Sequence, residues 1–173
     1  MLVTLIDPYI ITRAFNISTS TSLSLGIAYL KNGSVIKNKR RPLVKLDTLP
    51  FPARDLFPLK NYFETKLIHS PVNHKHTPII SSRGCPMACS FCSVPLFLNR
   101  TFRTRSPKNI VDEMQECKNK FGITEFYFMD DNMTLKKQRI VDFCNELLKR
   151  RLKLRWSCST GVRSEGRTRF FRS

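Results

Sequence analysis

The chain has 173 residues, 41% of them hydrophobic, which suits one ordinary globular domain with a small extra segment and excludes a disordered chain. The early apolar stretch MLVTLIDPYII is broken by Asp7 and Pro8 and lacks a basic start and a small-residue cleavage site; with no membrane span elsewhere, the expected location is a cytoplasmic, reducing compartment. The net charge of +17 is spread as +6 over residues 1–60, +5 over 61–107, +4 over 108–163 and +2 over 164–173, without an arginine block or a stacking-aromatic RNA motif, so specific nucleic-acid binding is not expected.

Up to about Thr77 the sequence is irregular. A Ser/Thr tract, Ser18 to Ser24, precedes YLKNGSVI, where Asn32-Gly33 between short β-prone runs predicts a hairpin. Pro50 and Pro52 make the next piece extended, because proline also biases the residue before it away from helix. From Thr77 the pattern becomes regular. TPIISS reads as a strand ending at a cysteine loop. SPKNIVDEMQECKNKFG reads as a helix with Ser106 as N-cap, Pro107 in the first turn and Gly122 at the C-terminal stop. Asp112 and Glu113 are expected near the positive end of its dipole, and Ile110, Met114, Cys117 and Phe121 form an apolar face. TEFYFMD is a second strand, with Asp131, Asn132 and Thr134 as turn and cap residues. TLKKQRIVDFCNELLKRR is a second helix with Ile140, Cys144, Leu147 and Arg151 in one row, and LKLRWSCST is a third strand.

The order βαβαβ predicts an α/β fold with parallel strands joined by crossover helices. In such folds sites lie beyond the carboxyl ends of the strands. The residues with chemistry sit there: Cys85, Cys89 and Cys92 after the first strand, Asp130 and Asp131 after the second, Ser159 to Arg163 after the third.

In a reducing compartment, six cysteines are thiols or metal ligands rather than disulfides. Three of them fall within eight residues as C-x3-C-x2-C, with no second pair nearby to complete a structural zinc site. His74 or His76 could serve zinc as a fourth ligand, but both precede the first strand, which carries them to its opposite end. Iron–sulfur clusters normally take four cysteines, and a cluster held by three keeps one iron open. Cys117, Cys144 and Cys158 read as small buried hydrophobes, and Trp156 as core.

The C-x3-C-x2-C loop, with Phe91 just before its last cysteine and a strand ahead of it, resembles the radical S-adenosylmethionine (SAM) superfamily. SSRGCPMACSFCS, RTRSPKNIVDEM, FYFMDDNMTL and RWSCSTGVR follow one another as in the cobalamin-associated branch of that superfamily. The likeness runs from about Gly26 to Arg163 and implies four parts: a divergent N-terminal segment over 1–25, a connector over 26–76, the first half of a radical SAM core over 77–163, and a divergent basic tail over 164–173. It implies an incomplete parallel (βα) partial barrel of about three units. It also implies a 4Fe–4S cluster on Cys85, Cys89 and Cys92, with SAM on the fourth iron, and reductive cleavage of SAM to a deoxyadenosyl radical. The electron would come from a donor such as a flavodoxin or ferredoxin. The cofactor-binding positions carried over are Phe91, Asp130, Asp131, Ser157, Ser159 and Arg163. Arg105 matches a recurrent basic position without an assigned role.

Each position has a plainer alternative. The triad could hold zinc, Asp130 and Asp131 could form turns and caps, and the serines and Arg163 could simply face solvent. The family pattern continues after the third strand with Arg-Val-Asp and a long helix, whereas here Arg163 is followed by SEGRTRFFRS. The expectation is therefore a truncated enzyme that assembles a cluster but turns over SAM poorly without a complementing chain. No cobalamin is expected on this chain, and its substrate, small molecule or macromolecule, is unassigned. The competing expectation is a non-catalytic remnant that binds zinc or no cluster, or associates with RNA through its charge.

Overall fold

The computed structural model describes residues 25–64, 75–98 and 100–158. The chain forms two compact units, divided between Val44 and Lys45. The division falls inside the stretch expected to be a single connector.

In the first unit, β1 (Ala28–Lys31) and β2 (Ser34–Lys37) form the expected antiparallel hairpin, with Leu30 opposite Val35. Asn32 and Gly33 both take positive φ, 49° and 77°, which is the turn whose twist matches a two-residue hairpin. The pairing extends past the strands through Asn38 N–H to Ile27 O and Gly26 N–H to Lys39 O.

The second unit begins with two 3-10 turns, Leu46–Thr48 and Arg54–Leu56, with Pro50 and Pro52 between them outside any regular element, and then a short helix α1 (Leu59–Glu64). The core elements follow as β3 (His76–Ile79), β4 (Ser82–Arg83), α2 (Val94–Leu98), β5 (Arg103–Thr104), α3 (Pro107–Phe121), β6 (Glu125–Phe128), α4 (Lys137–Lys149) and β7 (Arg155–Cys158). Strands β3, β6 and β7 make one parallel sheet in the order β3-β6-β7, with Thr77 opposite Phe126 and Phe126 opposite Trp156. The fold class is therefore α/β, and among the described residues the sheet is open, with β3 and β7 at its edges.

Local sequence accounts for α3. Ser106 Oγ accepts from Asn109 N–H at 3.2 Å and Pro107 opens the helix. At the other end Gly122 N–H returns to Lys118 O and Ile123 N–H to Cys117 O, a Schellman closure. Ile110, Val111, Met114 and Cys117 are buried against Ile79, Ile123, Phe126, Phe128, Met133, Phe143 and Leu147. Phe128, Phe143 and Trp156 meet edge to face with centroids 5.5–5.8 Å apart.

Three expectations need correction. Asp112 and Glu113 are not in the first turn of α3, which holds no acidic residue. Asp112 pairs with Lys108 and Arg150: its burial opposes ionisation, but those bonds outweigh it and hold the carboxyl below its ordinary range. Thr134 does not cap α4: the N-cap is Lys136, without a side-chain bond, and Thr134 is buried. The buried positions of α4 are Arg139, Phe143 and Leu147, whereas Ile140 and Cys144 flank them and Arg151 lies past the helix, exposed, with φ 52°.

Candidate metal and cofactor site

The cysteine loop leaves the sheet after β3 and returns at α3. Its neck is closed by β4 pairing antiparallel with β5, Ser82 opposite Thr104 and Arg83 opposite Arg103. Arg105 N–H adds a rung to Ser81 O at 2.9 Å. These strands are two residues each, too short to show a period in the sequence.

Inside the neck the chain must pass close to itself. Gly84 has φ 87°, and a Cβ built there would lie 2.1 Å from Thr101 O. Only glycine satisfies both conditions. Gly84→Ala is expected to destabilise the unit by at least about 1–3 kcal/mol from backbone strain alone. Thermal unfolding should show a lowered midpoint, and limited proteolysis should cut faster within residues 84–102.

Asp130 lies directly beneath the neck. It is 1% exposed. Its Oδ1 accepts from Ser81 N–H at 2.6 Å, and its Oδ2 accepts from the Ser81 and Ser82 hydroxyls at 2.5 and 2.6 Å. Arg139 reaches in from α4, with Nη2 3.6 Å from Asp130 Oδ2 and in close contact with Ser81 Oγ, while Nη1 donates to Met133 O. Burial lowers the Arg139 pKa and the Asp130 charge works against that shift. Asp130, expected from the resemblance to bind a cofactor, is thus engaged within the fold. A buried carboxylate needs donors, and Ser81 and Ser82 beyond β3 supply them, with the Arg139 charge alongside.

Asp131 is exposed and turns toward the loop, accepting from Gly84 N–H at 2.8 Å. The next residue, Asn132, is 6% exposed and places Nδ2 3.9 Å from Cys85 Sγ. Its Oδ1 is buried and has no hydrogen-bond partner. Arg105 gains the role that sequence reading left blank. It donates to Ile80 O, Asn109 and Glu113, and its guanidinium lies 5.5 Å from the Phe51 ring centroid. Glu113 also receives Arg54 Nη2 at 2.6 Å, and Arg54 in turn bonds Thr77 Oγ1 and Pro78 O. Two arginines on one buried glutamate thus tie the 45–58 segment to β3 and α3.

The three loop cysteines form no disulfide and are half-buried. Cys92 N–H donates to Cys89 O at 3.1 Å, closing a turn between the last two. Phe91 is 90% exposed. Ser157 is exposed on β7, while Ser159, Arg163 and His74 lie outside the described residues. His76 begins β3, at the end opposite the loop, buried with its ring 5.6 Å from that of Tyr127. The other three cysteines are a different population. Burial pushes the Cys117 thiol up to about 11 and raises Cys144; at Cys158, burial and then the Asp130 charge do the same.

The loop fits an iron–sulfur cluster by the chemistry of its donors: three partly exposed thiols on one pinned loop, with an amide N–H beside the first. Among the described residues no three His, Cys, Asp or Glu side chains lie close enough together to hold a metal ion. The fit is therefore one of ligand type and loop placement.

Residues 79–169 match the sequence pattern of the radical SAM superfamily, a match that runs past Arg163 into the stretch expected to diverge. The chain is 33% identical over 139 residues to an uncharacterized methyltransferase of Pyrococcus horikoshii, covering 80% of this chain and 29% of the relative. It is 30% identical over 165 residues to the anaerobic magnesium-protoporphyrin IX monomethyl ester cyclase of Cereibacter sphaeroides, covering 94% of this chain and 25% of the relative. It is 38% identical over 92 residues to the cytidylyl-2-hydroxyethylphosphonate methyltransferase of Streptomyces wedmorensis, covering 52% of this chain and 17% of the relative. The chain thus spans less than a third of the length of these relatives. No helix among the described residues is long and apolar enough to cross a membrane.

Proposed function

The chain belongs to the radical SAM superfamily, and from that premise we propose that Cys85, Cys89 and Cys92 hold a 4Fe–4S cluster with one iron open to SAM. Such a cluster would supply the single electron for reductive cleavage of SAM, drawn from a donor of the flavodoxin or ferredoxin class. The outcome carried over from the relatives' names is methyl transfer or ring closure on an organic substrate.

The observation that carries the reading is the three-thiol loop itself, beyond the carboxyl end of β3 in a parallel sheet and pinned at its neck. The remaining roles follow from placement. Asp130 acts from below, holding Ser81 and Ser82 at the start of the loop. Asp131, exposed and with one oxygen on Gly84, offers its second oxygen to a cationic group such as the SAM ammonium. Ser157, Ser159, Arg163 and Phe91 keep the cofactor-facing roles that the family resemblance implies.

Anaerobic reconstitution with iron and sulfide tests the reading. About four irons and four sulfides per chain are expected. Zinc alone, or no metal, would remove it in favour of a non-catalytic protein.

A further inference from the structure

Two consecutive residues after β6 address two consecutive residues at the start of the cysteine loop. Asp131 takes Gly84 N–H at 2.8 Å, and Asn132 Nδ2 lies 3.9 Å from Cys85 Sγ. We propose that Asn132 is a positioning residue for Cys85 that also sets the electronic state of the cluster, by donating an N–H hydrogen bond to the ligating sulfur.

Two observations on this one amide support the proposal. The first is the contact, at the long end for an N–H···S bond and directed at the cysteine nearest the pinned neck. The second is burial: Asn132 is 6% exposed, yet its Oδ1 has no partner. An orphaned buried carbonyl is destabilising, and a leucine would fill the same space without that cost. A ligand carrying an N–H or O–H donor beside Cys85 would complete the amide at its other end.

The electronic consequence has a definite sign. A hydrogen bond to a cluster sulfur stabilises the reduced, more negative state and raises the reduction potential. Removing the donor lowers it.

The inference rests on the cluster reading above, and the test separates the two. Wild type, Asn132→Leu and the same-shaped Asn132→Asp would be reconstituted anaerobically, assayed for iron, and titrated potentiometrically with EPR detection. All three keep the three thiols, so each is expected to retain its iron. Both variants should become about tenfold harder to reduce, a shift of 59 mV to more negative potential for a one-electron couple. Midpoints equal to wild type in loaded variants would overturn the role of Asn132 alone. A wild type that takes up no cluster would overturn the underlying reading and this inference with it.

Discussion

Glu113→Ala is expected to cost about 3–5 kcal/mol of folding free energy, the usual loss when one partner of a buried ion pair is removed. Glu113 is 1% exposed and is shared by Arg54 and Arg105. Its removal would leave two guanidinium groups facing each other with their counter-charge gone. Both arginines would still hold carbonyl oxygens, of Pro78 and Ile80, so they could not simply swing out to water. The loss is a large share of the roughly 5–15 kcal/mol that stabilises a typical domain. Urea unfolding should show a lower midpoint at unchanged slope. Glu113→Gln, which keeps the shape and an acceptor, should lose less. A midpoint within the scatter of wild type would mean that the two arginines do not depend on this carboxylate.

Replacing Cys85, Cys89 and Cys92 together with alanine is expected to abolish the bound iron of the reconstituted protein, from about four atoms per chain to background. Cys144→Ser is expected to change nothing. The contrast follows from placement: the triad sits half-buried on a loop, whereas Cys144 flanks the core and burial raises its thiol pKa. Iron retained after triple substitution would mean that other ligands hold it.

Much of the fold was legible because its signals are local. The hairpin follows from Asn32-Gly33, and α3 from Ser106, Pro107 and Gly122, each within a few residues of what it determines. The parallel order followed from alternating periods, and β3, β6 and β7 pair as expected. The interior of the site was less legible. Ser81 and Asp130 are 49 residues apart, and nothing in either neighbourhood shows that they meet. Asp130 and Asp131 look equivalent in sequence, yet one is buried under the sheet ends and the other holds the loop. The alternation of the strand decides that, and it becomes visible only once the strand ends at Phe128.

Glu113 carries a sequence signal of its own. Glu113 stands three residues after Ile110 and one before Met114, on the face already read as apolar. A carboxylate on such a face requires a buried cation, and Arg105 was the nearest unexplained one. Arg54, 59 residues away, could not have been found this way. Part of the stretch expected to be a connector thus belongs to the second compact unit and contributes a buried arginine to it.

The central claim is that the Cys85–Cys92 loop carries a cluster with an iron open to SAM. EPR of the anaerobically reconstituted, dithionite-reduced chain, recorded with and without SAM, tests it most directly. The account predicts a reduced-cluster signal whose g-values shift when SAM is added. A cluster signal identical in the presence and absence of SAM would contradict it.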